Sequence, residues 1–190
     1  MRWSKIEIAR ALATLATTAL FLAWFSAAEG AKAETASLEY ALKATYLYKF
    51  APFVEWPPAA FPAADTPINI CVAGTDPFGV LLDQAVAGQR VGGRPIAVHH
   101  IASITAGSFC HIAFIAGSPD QSIAQSLEAL RGQPVLTVTD NAADAANRGI
   151  ISFVIIDNRV RFQIDEQAAV QNHITLSSKL LSLSQPAPPH

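Results

Sequence analysis

Leu42–Pro57 reads LKATYLYKFAPFVEWP. The stretch has the pattern of an amphipathic helix carrying aromatics at Tyr46, Tyr48, Phe50 and Phe53, closed by Val54-Glu55-Trp56-Pro57. One aromatic side chain buries about 150–250 Å², so the segment predicts an anchor on which the rest of the chain builds a core. An aromatic stripe at helical spacing is more often core than binding site, and core is the reading taken here. Pro52 bends or ends the helix, and Pro57-Pro58 forbids its continuation. Upstream, residues 34–41 form a short lead-in with Ser37 as a candidate N-cap.

Working outward toward the C-terminus, Pro57 to Pro67 is a loop of Pro, Ala and Asp, and Ile68–Ala73 reads as a buried strand. Asp76-Pro77 suits a helix start with Pro at N1, and the helix runs to Val86. Strand, glycine turn and helix suggest a nucleotide site. GTDPFG, however, matches neither G-x-G-x-x-G nor G-x-x-x-x-G-K-[ST], and no lysine follows to meet a phosphate. Arg94–His100, Phe109–Ile115 and Val135–Thr139 read as further strands. A helix opened by Pro119-Asp120-Gln121-Ser122 reaches Leu130, with Ile123, Leu127 and Leu130 on one buried face. Asp140–Arg148 predicts a short helix capped by Gly149.

Ile150–Ile156 and Val160–Ile164 flank Asp157-Asn158-Arg159 and predict a β-hairpin. Val160, Phe162 and Ile164 share one face of its second strand, and Arg161 and Gln163 share the other, so that strand is half open to water or to a partner. A helical stretch from Asp165 to Leu183, broken near His173, follows. The alternation of strands and helices implies an α/β fold: a single three-layer α-β-α domain with a mixed central sheet and a C-terminal hairpin plus helix.

Toward the N-terminus, Arg2, Lys5 and Arg10 precede the uncharged apolar run Ala11–Ala28, and Ala31-Lys32-Ala33 fits a small-x-small cleavage site. Residues 1–33 read as a secretory signal peptide cut before Glu34, the other reading being an uncleaved membrane anchor. The domain then spans 34–184, and the Pro-rich 185–190 reads as a disordered tail. Losing residues 1–33 removes four basic and two acidic side chains, which moves the formal net charge from −2 to −4. A mildly acidic domain without a Lys/Arg cluster makes nucleic acid and anionic membrane poor partners.

Cys71 and Cys110 are the only cysteines. In an oxidising compartment the pair favours one intramolecular disulfide; two buried thiols or an intermolecular bridge are the other possibilities. There is no C-x-x-C. His99-His100 point to opposite faces of a strand and cannot chelate one metal as neighbours, and no metal-ligand spacing is recognisable. G-x-S-x-G, H-E-x-x-H and S-x-x-K are all missing, so no residue is assigned a catalytic role and no cofactor is implied.

Taken together, Lys43-Ala44 through Tyr48–Pro57, Ile70–Gly74 with Asp76–Gly79, Gly93–Ile96, Cys110–Ile115, Val135–Asp140, Gly149–Phe153, Asn158–Ile164 and Ile174–Leu181 resemble the YfiR family of small bacterial periplasmic proteins. The resemblance covers nearly all of the exported part, in order. It implies a periplasmic repressor that binds the periplasmic part of an inner-membrane diguanylate cyclase, keeping cyclic-di-GMP and biofilm formation low. It also implies an OmpA-like outer-membrane lipoprotein that titrates the repressor away, and a homodimer. Cys71 and Cys110 look like the family's disulfide positions, whereas Ser152 stands where some members carry a cysteine of a second pair. On this basis the partner surface is placed at the terminal hairpin and helix: Ile151, Phe153, Arg161, Gln163, Ile174 and Ser178. The competing reading makes Ile151, Phe153 and Ile174 core. An alternative function is a periplasmic small-ligand sensor with a pocket near the Tyr46/Phe50 helix and the Gly74-Thr75-Asp76 turn.

Overall fold

The computed structural model describes residues 34–140 and 144–186. The signal peptide expected over 1–33 and the tail from 187 onward lie outside the described residues. The chain divides into two compact units, Met1–Glu39 and Tyr40–His190. In the first, residues 34–39 are helical, so Ser37 sits inside a helix instead of capping one.

In the second unit, helix α1 occupies 40–50 and gives way at the expected proline to a 3-10 turn, Ala51–Phe53. Then follow β1 (Val54–Glu55), β2 (Ile68–Gly74), α2 (Val80–Val86), β3 (Arg90–Val91), β4 (Arg94–Ile101), β5 (Ile112–Gly117), α3 (Ile123–Ala129), β6 (Leu136–Asp140), β7 (Ile151–Ile156), β8 (Arg159–Ile164), α4 (Glu166–Gln171), β9 (Thr175–Leu176) and α5 (Ser178–Leu181). Seven strands form one sheet in the order β3-β4-β2-β5-β6-β7-β8. The inner five run parallel, and β3 and β8 close the two sides antiparallel. The fold is α/β with a mixed sheet, as the sequence implies.

Period-two alternation divides each inner strand between two cores. Ile68, Ile70 and Val72 of β2 join Ala44, Leu47 and Phe50 of α1 and Leu82 and Val86 of α2 in one cluster. Cys71 and Ala73 face a second cluster with Ala113, Ile115 and Leu130, against which Ile123 and Leu127 of α3 pack. Both faces of the sheet are therefore covered, which is what lets its central strands be apolar throughout.

Local chemistry sets several boundaries. Asp76 does not start α2; its carboxylate accepts from Phe78 N–H at 2.8 Å in an Asx turn, and the helix begins only at Val80. Ser122 caps α3 in a full capping box with Gln125. The expected Asp140–Arg148 helix is, within the described residues, one 3-10 turn at Ala145–Asn147. Gly149 is not its cap: a Cβ there would lie 2.8 Å from Thr137 O, so the residue is glycine because two backbones touch. Asp157 and Asn158 both have positive φ (50° and 56°), the requirement of the two-residue turn that joins strands with the native twist. The C-terminal stretch breaks at His173 (φ 56°), and β9 lies antiparallel to β1.

Candidate functional site

The terminal hairpin pairs Ile151 with Ile164, Ser152 with Gln163, Phe153 with Phe162 and Val154 with Arg161. This register turns Ile151 and Phe153 inward with Val160 and Phe162. Phe50, Phe153 and Phe162 meet there with ring centroids 5.2–6.0 Å apart, and Tyr46 stacks on Phe50 at 5.8 Å. Ile151 and Phe153 are 0% exposed and Ile174 is 3% exposed. None of the three forms a docking surface: Ile151 and Phe153 lie on the hairpin face that α1 covers, and Ile174, just before β9, is buried in the same cluster. The aromatic helix packs on the hairpin from this same side, Tyr46 lying 6.0 Å from Phe153 and 5.9 Å from Phe162 between ring centroids.

Arg161 and Gln163 do share the opposite face and are half-exposed, Gln163 reaching Pro186 O through its side-chain amide at 3.0 Å. Ile156 and Arg159 extend this face toward the turn and are exposed. They were not singled out from the sequence, although a β-branched residue next to a polar turn is a readable sign of a strand end beyond its covering helix. Ser178 is exposed at the start of α5, after the N-cap Ser177, and is not part of the hairpin face. Ser152 is buried and its hydroxyl meets that of Thr139 at 3.1 Å. Thr139 Oγ1 in turn accepts from Gly149 N–H. A polar tie thus joins β6, β7 and the turn at Gly149.

Cys71 and Cys110 form a disulfide across a sequence separation of 39, with Cα atoms 5.8 Å apart. Cys110 precedes β5 instead of lying in it, and Phe109 beside it has φ 51° and is 84% exposed. The expected strand therefore begins three residues late. Next to this loop a cavity of about 520 Å³ opens at the N-terminal ends of the parallel strands, walled by Asn69, Phe109, His111, Leu130, Gln133 and Pro134.

His111 is held from three sides. Asn69 N–H donates to its Nδ1 at 3.0 Å, its Nε2 lies 2.9 Å from Ala60 O, and Phe61 stacks on the ring at 4.4 Å. The two partners demand the neutral Nε2–H tautomer. Desolvation holds its pKa below the ordinary value of 6.5; Arg94 pushes the same way, against the hydrogen bond to Ala60. Arg94 lies over the other member of the stack, 4.2 Å from the Phe61 ring centre.

Two more polar groupings stand at the C-terminal ends of the strands. Fully buried Lys43 contacts both oxygens of Asp140 at 2.7 Å, and Tyr40 donates to the same carboxylate at 3.0 Å. His100 bridges Asp76 (2.9 Å) and Asp83 (3.1 Å) through its two nitrogens. Among the described residues no cluster of His, Cys, Asp and Glu is arranged to hold a metal ion, and no helix is long and apolar enough to cross a membrane.

A search of curated proteins finds no match. The family model described as YfiR/HmsC-like matches residues 40–185, almost the whole of the second unit. That family consists of periplasmic, non-catalytic regulators that act on membrane diguanylate cyclases. The match spans the aromatic helix, the parallel sheet, the disulfide and the terminal hairpin, and the chain belongs to the YfiR/HmsC-like family.

Proposed function

We propose that this protein is exported on residues 1–33 and represses an inner-membrane diguanylate cyclase by binding the cyclase's periplasmic part. The observation that carries this reading is the family match over residues 40–185. Repression works by occupancy, lowering cyclic-di-GMP and biofilm formation, and an OmpA-like outer-membrane lipoprotein that takes the repressor away relieves it. Of the residues first assigned to the docking surface, Arg161, Gln163 and Ser178 are retained, joined by Ile156 and Arg159. A paired-strand face with two arginines beside an exposed isoleucine suits a partner surface of mixed apolar and acidic character.

The test is a pull-down with tagged protein from detergent-solubilised membranes of the source bacterium, read by mass spectrometry. Recovery of a membrane protein with a cyclase domain is expected, with at least tenfold weaker capture by Arg161→Glu at unchanged melting temperature. Capture of no membrane protein overturns the repressor reading, and capture unaffected by Arg161→Glu overturns the surface.

A second reading, a small-ligand sensor, is favoured by the cavity beside His111, whose volume of about 520 Å³ suits a small molecule. A metabolite panel that leaves the melting temperature flat removes it.

A further inference from the structure

The cavity beside His111 is lined without charge. Ala60, Pro62, Phe109, Leu130, Pro134 and Val135 give it an apolar lining, and among the described residues no Asp, Glu, Lys or Arg forms part of its wall. His111 adds no charge in its neutral Nε2–H tautomer, and both ring nitrogens are already taken, by Asn69 N–H and Ala60 O. Most other polar side chains of the wall have partners within the chain. Asn69 bonds Phe109 O and His99, Thr66 accepts from Ala63 N–H, and Thr105 meets Ser108. That leaves Gln133, whose side-chain carboxamide has no hydrogen-bond partner among the described residues.

Phe109 stands at the rim against its own preferences. A bulky residue at φ 51° is a backbone outlier, and a phenyl ring on a residue 84% exposed forgoes the burial that aromatics ordinarily reach. Two bonds hold it there. Asn69 Nδ2 donates to Phe109 O at 3.0 Å, and the next residue, Cys110, is tied to β2 through Cys71. Neither bond uses the ring. An outlier fixed from outside its own side chain, beside a cavity, has the character of a ligand clamp.

We infer that this cavity binds an uncharged ligand with a flat, conjugated ring, which stacks on Phe109 while a polar substituent exchanges hydrogen bonds with the Gln133 carboxamide. An ion buried among these walls would be left without a countercharge, which disfavours carboxylates, phosphates and ammonium groups. Flat rings stack offset or edge-on against an aromatic side chain, and a carboxamide both donates and accepts. A ring bearing an amide, or a similar donor–acceptor group, is therefore the complement of this wall. The volume of about 520 Å³ lies in the range of ligand pockets, roughly 300–1,000 Å³. The inference rests on the small-ligand reading and adds a chemical class to it, independently of the hairpin surface.

The test is a titration of isotope-labelled protein, purified after export, followed by amide NMR shifts near neutral pH. Benzamide is the probe. Benzoate and benzamidinium have nearly its shape but carry a charge, and cyclohexanecarboxamide keeps the amide without the flat ring. Benzamide at up to about 10 mM should give saturable shifts centred on Phe109, His111 and Gln133, with both charged probes at least about tenfold weaker. Phe109→Gly suits the positive φ and leaves the fold intact, and it should weaken benzamide about fivefold. Gln133→Met should weaken it by a similar factor, and cyclohexanecarboxamide should bind less well than benzamide. If none of the four probes shifts these amides, the small-ligand reading falls and the class falls with it. If benzoate or benzamidinium binds as well as benzamide, the cavity is a ligand site but the inferred class is overturned. Binding that is indifferent to Phe109→Gly, to Gln133→Met or to loss of the flat ring overturns the stacked, amide-bonded arrangement.

Discussion

The fold opposes protonation of His111. A proton on Nδ1 would face Asn69 N–H, and burial together with Arg94 opposes the positive charge. The folded chain therefore binds this proton less readily than the unfolded chain does. Linkage fixes the sign: the stability contributed here is fully present above about pH 6.5, the unfolded value, and is lost as pH falls through the lowered folded value. One such group changes stability by at most about 1.4 kcal/mol per pH unit. Denaturant melts of the parent chain and of His111→Asn between pH 7.5 and 5 check this, with a flatter profile expected for the variant. Parallel profiles would assign the acid sensitivity to other groups. Lys43 shows a different limit at the same scale. Nothing in the helical pattern around Ala44 and Leu47 marks this lysine as buried, yet it is fully buried. Its partner Asp140 lies 97 positions away, beyond anything periodicity can detect.

At the scale of elements, the disulfide ties β2 to the loop that delivers β5 and holds Phe109 at the rim of the cavity. Closing a loop of this length stabilises by up to about 4 kcal/mol on the chain-entropy model. Reductant, or the paired Cys71→Ala and Cys110→Ala exchange, should lower the melting temperature by on the order of 10 °C. An unchanged melting temperature would show that the bond carries no stability. Strands were the most legible elements, because β2, β4, β6 and the hairpin are runs of β-branched residues between turn residues, and Asp157-Asn158 marks its own turn. Helix limits were less so. Asp76-Pro77 satisfies the rule for a helix start, yet the Asp76 side chain closes a turn on Phe78 first. The stretch from Asp165 to Leu183 has helical composition throughout, but the pairing of Val54 with Leu176 requires two extended residues in its middle. The hairpin also shows where the site reading failed. Alternation identified which residues share a face, and Arg161 and Gln163 were placed together correctly. Alternation alone does not say which face of a sheet a distant helix covers, so the sequence leaves Ile151 and Phe153 open between partner surface and core, and α1 seals them into the core.

For the molecule as a whole, the decisive join is between the start of the domain and its end. β1 pairs with β9, and Ser177 N–H donates to Phe53 O at 2.9 Å. That clasp brings Ile174, Leu176 and Leu180 into the same core as α1, all three buried. Burying one aliphatic side chain stabilises by about 1.5–3 kcal/mol. The three together therefore approach the roughly 5–15 kcal/mol that holds an ordinary domain folded. Gln185 and Pro186, the described residues beyond Ser184, contribute far less. In the described part they add the bonds of Gln185 N–H to Phe162 O and of Gln163 to Pro186 O, each worth about 0.5–1.5 kcal/mol net. A chain ending at Asn172 should therefore fail to fold and lose its cooperative melt, whereas one ending at Ser184 should melt within a few degrees of the full protein. Circular dichroism melts of both truncations decide the matter. A cooperative transition in the shorter chain near the full-length temperature would mean that the sheet and α1 suffice, and that the C-terminal clasp serves only to shape the surface offered to a partner.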